Sequence, residues 1–221
     1  MVAKLSILIP TYNRCDYLRN NLQQLETFIL ARGLVNIVSI IVSSNNSVDE
    51  TSSVLETFQR ESRVDLKVSH QSENIGAVNN VLYLLDCADT EYVMFLGDDD
   101  YLSSEYLSVV MAEIDDSQVS VIIPSNKAIT EQGEETGFYR DVNVAGSRYD
   151  AGFKACLEHS WRGHQMSGLV LRRDKLSALC QQCSIENMYL FIFLVAYNCF
   201  NGRVLHITEY PVLVTRPPQH V

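Results

Sequence analysis

The chain has 221 residues, 47% of them hydrophobic and 20% charged, which excludes a disordered protein and leaves room for one sizeable domain with an apolar core. Its 27 acidic and 17 basic residues give a formal net charge of -10, which excludes a broad electrostatic grip on nucleic acid. An anionic ligand therefore needs a metal ion or local basic side chains. No cationic segment followed by a long apolar run opens the chain, so no signal peptide is expected and the assignment is cytoplasmic.

Leu5 to Ile9 is a short branched apolar run stopped by Pro10, as in a strand buried on both faces. Leu18, Leu22, Leu25 and Ile29 then recur at helical spacing, and Gly33 supplies a stop. Val38 to Val42 is a second strand, followed by a polar turn over Ser43 to Asp49 and a helix with Val54, Leu55 and Phe58 on one face. Leu66 to Val68 predicts a third strand, Gly76 to Leu85 a helix, and Tyr92 to Leu96 a fourth strand closed by Gly97. This alternation predicts right-handed crossovers and a mainly parallel sheet with helices on both faces.

Beyond Tyr101 the pattern predicts a helix carrying Leu107, Val110, Met111 and Ile114, then a strand over Val119 to Ile123 ending at Pro124. Residues 126–150 are polar without sustained periodicity and read as a hairpin or mobile loop. Ser167 to Leu171 reads as a strand, Ile185 to Phe200 as a helix and Val204 to Val214 as a last extended segment. Of six cysteines only Cys180 and Cys183 have CxxC spacing, without the second pair a zinc site needs, so reduced structural thiols are expected.

In such a sheet ligands sit beyond the carboxyl ends of the strands. The loops there are Pro10 to Arg14, Ser43 to Asp49, His70 to Gly76 and Gly97 to Asp100. Three consecutive carboxylates, Asp98, Asp99 and Asp100, are costly to crowd after a buried strand unless a cation or solvent compensates them. Mg2+ or Mn2+ suits such hard oxygen ligands, with phosphates and water completing its shell. The remaining reading is a solvated acidic turn capping the helix that begins near Ser103.

Taken in order, SILIPTYNR, IIVSSNNSVDET, SENIGAVNN and YVMFLGDDDYL resemble the donor-binding half of family 2 glycosyltransferases of the GT-A fold. The resemblance is close over residues 4 to 110 and looser beyond. It implies one α/β, Rossmann-like domain over 1–221, with a nucleotide-sugar-binding half over 1–110 and a smaller acceptor-side half over 111–221. The implied activity moves a sugar, with inversion, from a nucleoside diphosphate donor to a carbohydrate or lipid-linked acceptor in bacterial-type surface polysaccharide synthesis. It leaves room for peripheral association with the inner face of the membrane and for a homodimer.

By the same resemblance Thr11, Tyr12 and Arg14 contact base or phosphate, and Asn74, Gly76 and Asn80 border the nucleotide and sugar. Asp49 is the closing acid of the second motif, and would otherwise serve as a helix cap. Where the family carries an acidic pair, this chain has Ser44 and Asn45. An amide donates as well as accepts, so Asn45 leaves the donor base open and makes a cytidine diphosphate sugar an alternative to a uridine one. Gly97 stands where the first Asp of the family's metal motif is usual; Asp99, then Asp100, become the metal candidates and Asp98 falls on the donor.

An inverting displacement needs a base for the acceptor hydroxyl. The family's Glu-Asp is matched here by Glu186 and Asn187, which makes Glu186 the candidate, its other reading being a carboxylate favoured at a helix N-terminus. Trp161, Arg162, His159 and His164 form an aromatic and basic patch that could meet a sugar ring or phosphate. Two other functions fit a nucleotide-binding α/β chain. A sugar nucleotidyltransferase would carry a Gly-rich basic loop after the first strand, and PTYNRCDYL has no Gly. A binding module without turnover draws on the changes at Ser44, Asn45, Gly97 and Asn187.

Overall fold

The computed structural model describes residues 3–115, 118–183 and 189–216. Four strands, β1 (Leu5–Thr11), β2 (Val38–Ser44), β3 (Leu66–His70) and β4 (Tyr92–Phe95), alternate with α1 (Cys15–Ala31), α2 (Thr51–Glu61) and α3 (Ala77–Cys87). The second part contains α4 (Ser104–Glu113), β5 (Val119–Ile129), β6 (Glu135–Arg140), β7 (Ser147–Tyr149) and α5 (Phe153–His159). A 3-10 turn over Ser160–His164 leads to β8 (Val170–Arg172), α6 (Leu176–Cys183), α7 (Leu190–Asn201) and β9 (Arg203–Thr215). The strands form one sheet in the order β3-β2-β1-β4-β8-β5-β9-β7, with β6 paired to β5.

The first half is parallel as expected: β1 pairs with β2 and β4, and β2 with β3. In the second half β8 runs antiparallel between β4 and β5, whereas β9 is parallel to β5. The apolar runs explain the layering, because alternate strand residues face opposite sides. Leu5, Ile7 and Ile9 pack with Leu18, Leu22, Leu25 and Ile29 of α1 and with α2 and α4. Leu8, Ile41, Val93 and Phe95 turn the other way, into a second core with α3, α6 and α7. Strands sandwiched in this way are hydrophobic throughout, as the sequence shows.

Strand ends differ from the sequence pattern: β1 is not stopped by Pro10 but runs to Thr11. The strand expected to end at Pro124 continues to Ile129, with a register irregularity between Pro124 and Asn126 in its pairing with β9. Residues 126–150 hold the expected hairpin, in which β6 pairs with β5, and add the short strand β7. The strand expected over Ser167 to Leu171 is shorter and later, and α7 is described only from Leu190. All six cysteines are free thiols, with Cys180 buried and Cys183 exposed on α6.

Candidate active site

The loops that leave β1, β2, β3 and β4 open into one cleft of about 690 Å³. Its lining includes Thr11, Tyr12 and Arg14 after β1, Asn45 after β2, Asn74 after β3, and Asp98, Asp99 and Asp100 after β4. Asn80 of α3 and, from the second half, His164, Gln165, Met166, Leu190 and Phe191 complete it. A larger open groove of about 830 Å³ between α4 and the edge of β9 is lined by Glu113, Arg148 and His206, away from all of these loops. There Arg148 and Glu113 form an ion pair with each other.

The acidic turn is built from beneath and from both sides. Asn21, buried among the leucines of α1, donates from its amide to the carbonyls of Gly97 and Asp100. The Ser167 hydroxyl accepts from the Gly97 N–H at 2.9 Å and donates to Asp100 Oδ2. At the end of β9 the Thr215 N–H donates to Asp100 Oδ1 at 2.8 Å, and the Thr215 hydroxyl donates to the Asp99 carbonyl. A Cβ on Gly97 would lie 3.0 Å from Asp100 Oδ2 and 3.2 Å from Asp99 Oδ1, so the glycine makes room for both carboxylates to fold back over it.

The three acids consequently sit differently. Asp100 is 5% exposed and has both oxygens engaged by Ser167 and Thr215, with Gln165 at 3.5 Å. Asp98 is also buried, whereas the Asp99 side chain is 21% exposed. The Arg14 guanidinium bridges Asp98, at 3.3 Å, and Asp99. Burial pushes the Asp98 carboxyl up to about 6 despite the opposing pull of Arg14. Burial pushes Asp100 up to about 6 as well, against the lowering hydrogen bond from Ser167.

At the other side of the cleft the amides organise the loops. Asn45 donates from Nδ2 to Asn74 Oδ1 at 2.9 Å, and Asn45 Oδ1 accepts from the Ile75 N–H at 2.9 Å. Asn74 Oδ1 also accepts from the Gly76 N–H. Asn80 ties α3 to β2: it donates to the Ser43 carbonyl and accepts from the Ser43 hydroxyl. Tyr12 is 45% exposed.

Two expected site residues do not line the cleft. The Asp49 carboxylate accepts from the Cys15 N–H and from the N–H and hydroxyl of Thr51, which ties the starts of α1 and α2 together; these bonds hold its pKa below the usual value against burial. Gly76, with φ 82, turns the chain into α3. Glu186 lies outside the described residues. The sequence reading missed Asn21, Ser167, Gln165 and Thr215. Asn21 had a readable signal, a polar residue inside the apolar stripe of α1, whereas the others reach the acidic turn only through the sheet order.

The sequence profile described as glycosyl transferase family 2 matches residues 6–188, and the chain belongs to that family. An abequosyltransferase, RfbV, of Salmonella typhimurium is 24% identical over 96% of this chain and 66% of its own length. A GalNAc(5)-diNAcBac-PP-undecaprenol beta-1,3-glucosyltransferase of Campylobacter jejuni is 32% identical over 65% of this chain and 46% of its own. The chain thus spans two thirds or less of these relatives. Among solved structures, Staphylococcus aureus TarS 1-349 in complex with UDP-GlcNAc superposes with a TM-score of 0.71 at 22% identity, covering 98% of this chain and 60% of that one. A mannosyltransferase of Pyrobaculum calidifontis in complex with GDP-Man and Mn2+ gives 0.67 at 11% identity, covering 100% and 59%. The fold is therefore GT-A, as the motifs implied.

Proposed function

We propose that this chain transfers a sugar from a nucleoside diphosphate donor to a carbohydrate or lipid-linked acceptor, with inversion, during surface polysaccharide assembly. The observation that carries the reading is the convergence of four strand-end loops on one cleft, with amides and Tyr12 on one side and Arg14 with Asp98 and Asp99 on the other. The nucleoside then lies against Tyr12, Asn45 and Asn74, and the diphosphate against Arg14 and the acidic turn. The domain division follows: residues 1–110 hold the donor and 111–221 shape the acceptor side.

Among the described residues no three His, Cys, Asp or Glu side chains converge to hold an ion. The donor set nevertheless suits Mg2+ or Mn2+, which commonly takes only one or two carboxylates and leaves its other positions to phosphates and water. Asp99, with Asp98 beside it, would hold the ion, and bound there it would neutralise charge on the departing diphosphate. Asp100, occupied by Ser167 and Thr215, orients the turn. Arg14 adds a fixed positive charge where the leaving group gains negative charge.

The acceptor side is formed by His164, Gln165 and Met166 and by the N-terminus of α7. Trp161, the chain's single tryptophan, is 46% exposed next to it, with Arg162 over its ring at 4.4 Å and its indole N–H donating to the Glu158 carbonyl. Its polar tip being satisfied, the exposed ring is a surface on which a sugar of the acceptor can stack. Glu186 remains the proposed base for the acceptor hydroxyl. No described helix is long and apolar enough to cross a membrane, and we place the enzyme at the cytoplasmic face, where a lipid-linked acceptor would meet it.

The test is donor turnover: the protein with Mn2+ and a panel of nucleotide sugars should release nucleoside diphosphate slowly without acceptor and faster with one. Binding of a donor with no release under any condition would leave a binding module instead. If calorimetry detected no nucleoside diphosphate binding at all, the assignment would fall.

A further inference from the structure

We infer that the base pocket selects a base presenting a hydrogen-bond acceptor at its ring nitrogen, so that the donor is a cytidine diphosphate sugar and not a uridine one. This rests on the nucleotide-sugar reading of the cleft, and sharpens it. Strand order β3-β2-β1-β4 sets the loops bearing Asn45 and Asn74 one and two strands beyond β1, on the side away from the acidic turn after β4, with Tyr12 on the β1 loop between them. If the diphosphate takes the acidic end, the base meets these three residues.

The orientation of both amides is fixed by partners that have only one hydrogen-bonding role. Backbone N–H groups can only donate, so Asn45 Oδ1 must face Ile75 and Asn74 Oδ1 must face Gly76. Asn74 Oδ1 takes a second donor, Asn45 Nδ2, and both of its lone pairs are then used. What remains free is three hydrogens, one on Asn45 Nδ2 and two on Asn74 Nδ2, against a single amide lone pair, that of Asn45 Oδ1. Nearby, the Thr11 carbonyl accepts from the Asn45 N–H, and the Ser43 hydroxyl and carbonyl are bonded to Asn80. The carboxylates that line the cleft are Asp98, Asp99 and Asp100, at its other end.

Cytosine offers two adjacent acceptors, the ring N3 and the carbonyl O2, to such a donor edge. Uracil carries N3–H at the same place, where donor hydrogens outnumber the one amide lone pair left on Asn45 Oδ1. An unpaired polar group in a desolvated pocket is expensive, and this mismatch is what discriminates the two bases. At Asn45 an aspartate would reverse the relation, because its second oxygen accepts where the amide donates.

Calorimetric titration with CDP, UDP, GDP and dTDP, with Mn2+ present, tests the inference. CDP and UDP share ribose and diphosphate, so their ratio isolates the base edge. CDP should bind about tenfold or more tighter than UDP, and Asn45→Asp should shift the ratio toward UDP. Equal affinities, or tighter UDP, would overturn the base assignment and leave the glycosyltransferase reading standing. Absence of binding by all four would overturn that reading itself. Should Asn45→Asp fail to fold, as judged by its melting curve, the ratio in the unaltered protein decides alone.

Discussion

At the scale of single residues the acidic turn separates into parts that substitution can tell apart. Asp100 accepts from the Ser167 hydroxyl and the Thr215 N–H. Asp100→Asn places an NH2 against one of these donors, at a cost of about 1–3 kcal/mol, and should lower the melting temperature. Asp99 makes its side-chain contact with the exposed Arg14 head and supports little of the fold. Asp99→Asn should therefore melt like the unaltered protein while losing roughly 100-fold or more in turnover. Thermal melts paired with donor-release rates check both, and equal melting losses in the two variants would contradict the division. The sequence displayed the three carboxylates but not this division, because Ser167 and Thr215 come from positions about 70 and 115 residues further along the chain, as their bonds to the turn record. Asn21 was legible in principle. Asn21→Ala takes away the amide donor of the Asp100 carbonyl, leaves the Gly97 carbonyl with the Asp100 N–H alone, and should cost about 2 kcal/mol in a denaturant titration.

Among elements, the first four strands and their helices were readable because each buried run has a local signature, with Gly97 just past the end of β4, although β1 runs through Pro10 to Thr11. The order of later strands was not readable, since the insertion of β8 between β4 and β5 depends on contacts no local period encodes. Pro124 misled for a definable reason: proline lacks the N–H a ladder needs, yet the irregularity after it lets the strand continue to Ile129. The 3-10 turn that carries Trp161 and His164 is positioned by a glycine. A Cβ on Gly163 would lie 2.5 Å from the Phe191 carbonyl oxygen and 2.8 Å from Ile192 Cα, both backbone atoms of α7. Gly163→Ala must push this turn off α7, at a cost of about 1–3 kcal/mol. Because His164 and Phe191 both line the cleft, the displacement should raise the acceptor KM while leaving nucleoside diphosphate affinity near normal. A variant with unchanged acceptor KM would show that the contact matters to stability alone.

Across the whole molecule, two groups of buried ionisable residues oppose each other in their response to acid. His206 on β9 has Nε2 3.3 Å from Asp141 Oδ2; burial first, and Arg162 next, push it down to about 4, while Asp141 pulls the other way. His159 is also lowered, by burial and then Arg162. Arg162 itself pairs with Asp141 at 2.7 Å, so protonating either imidazole brings charge into an occupied network. With a folded pKa near 4 and an unfolded value of 6.5, His206 binds its proton more readily unfolded. Its contribution is complete above pH 6.5 and is lost as the pH falls toward 4. Asp98 and Asp100, raised to about 6 from 3.8, behave in the reverse sense: the folded state takes up protons first, and falling pH adds stability between about 6 and 3.8. The overlap should leave the protein, in chelator, with a shallow stability profile between pH 6.5 and 4. His206→Asn removes the larger histidine contribution and should expose the carboxylates, so that its melting temperature rises relative to the parent as the pH drops through this window. Asp100→Asn should do the opposite and steepen the acid loss. Melting curves at half-unit pH steps decide it, and parallel profiles for parent and both variants would mean that neither group governs acid stability.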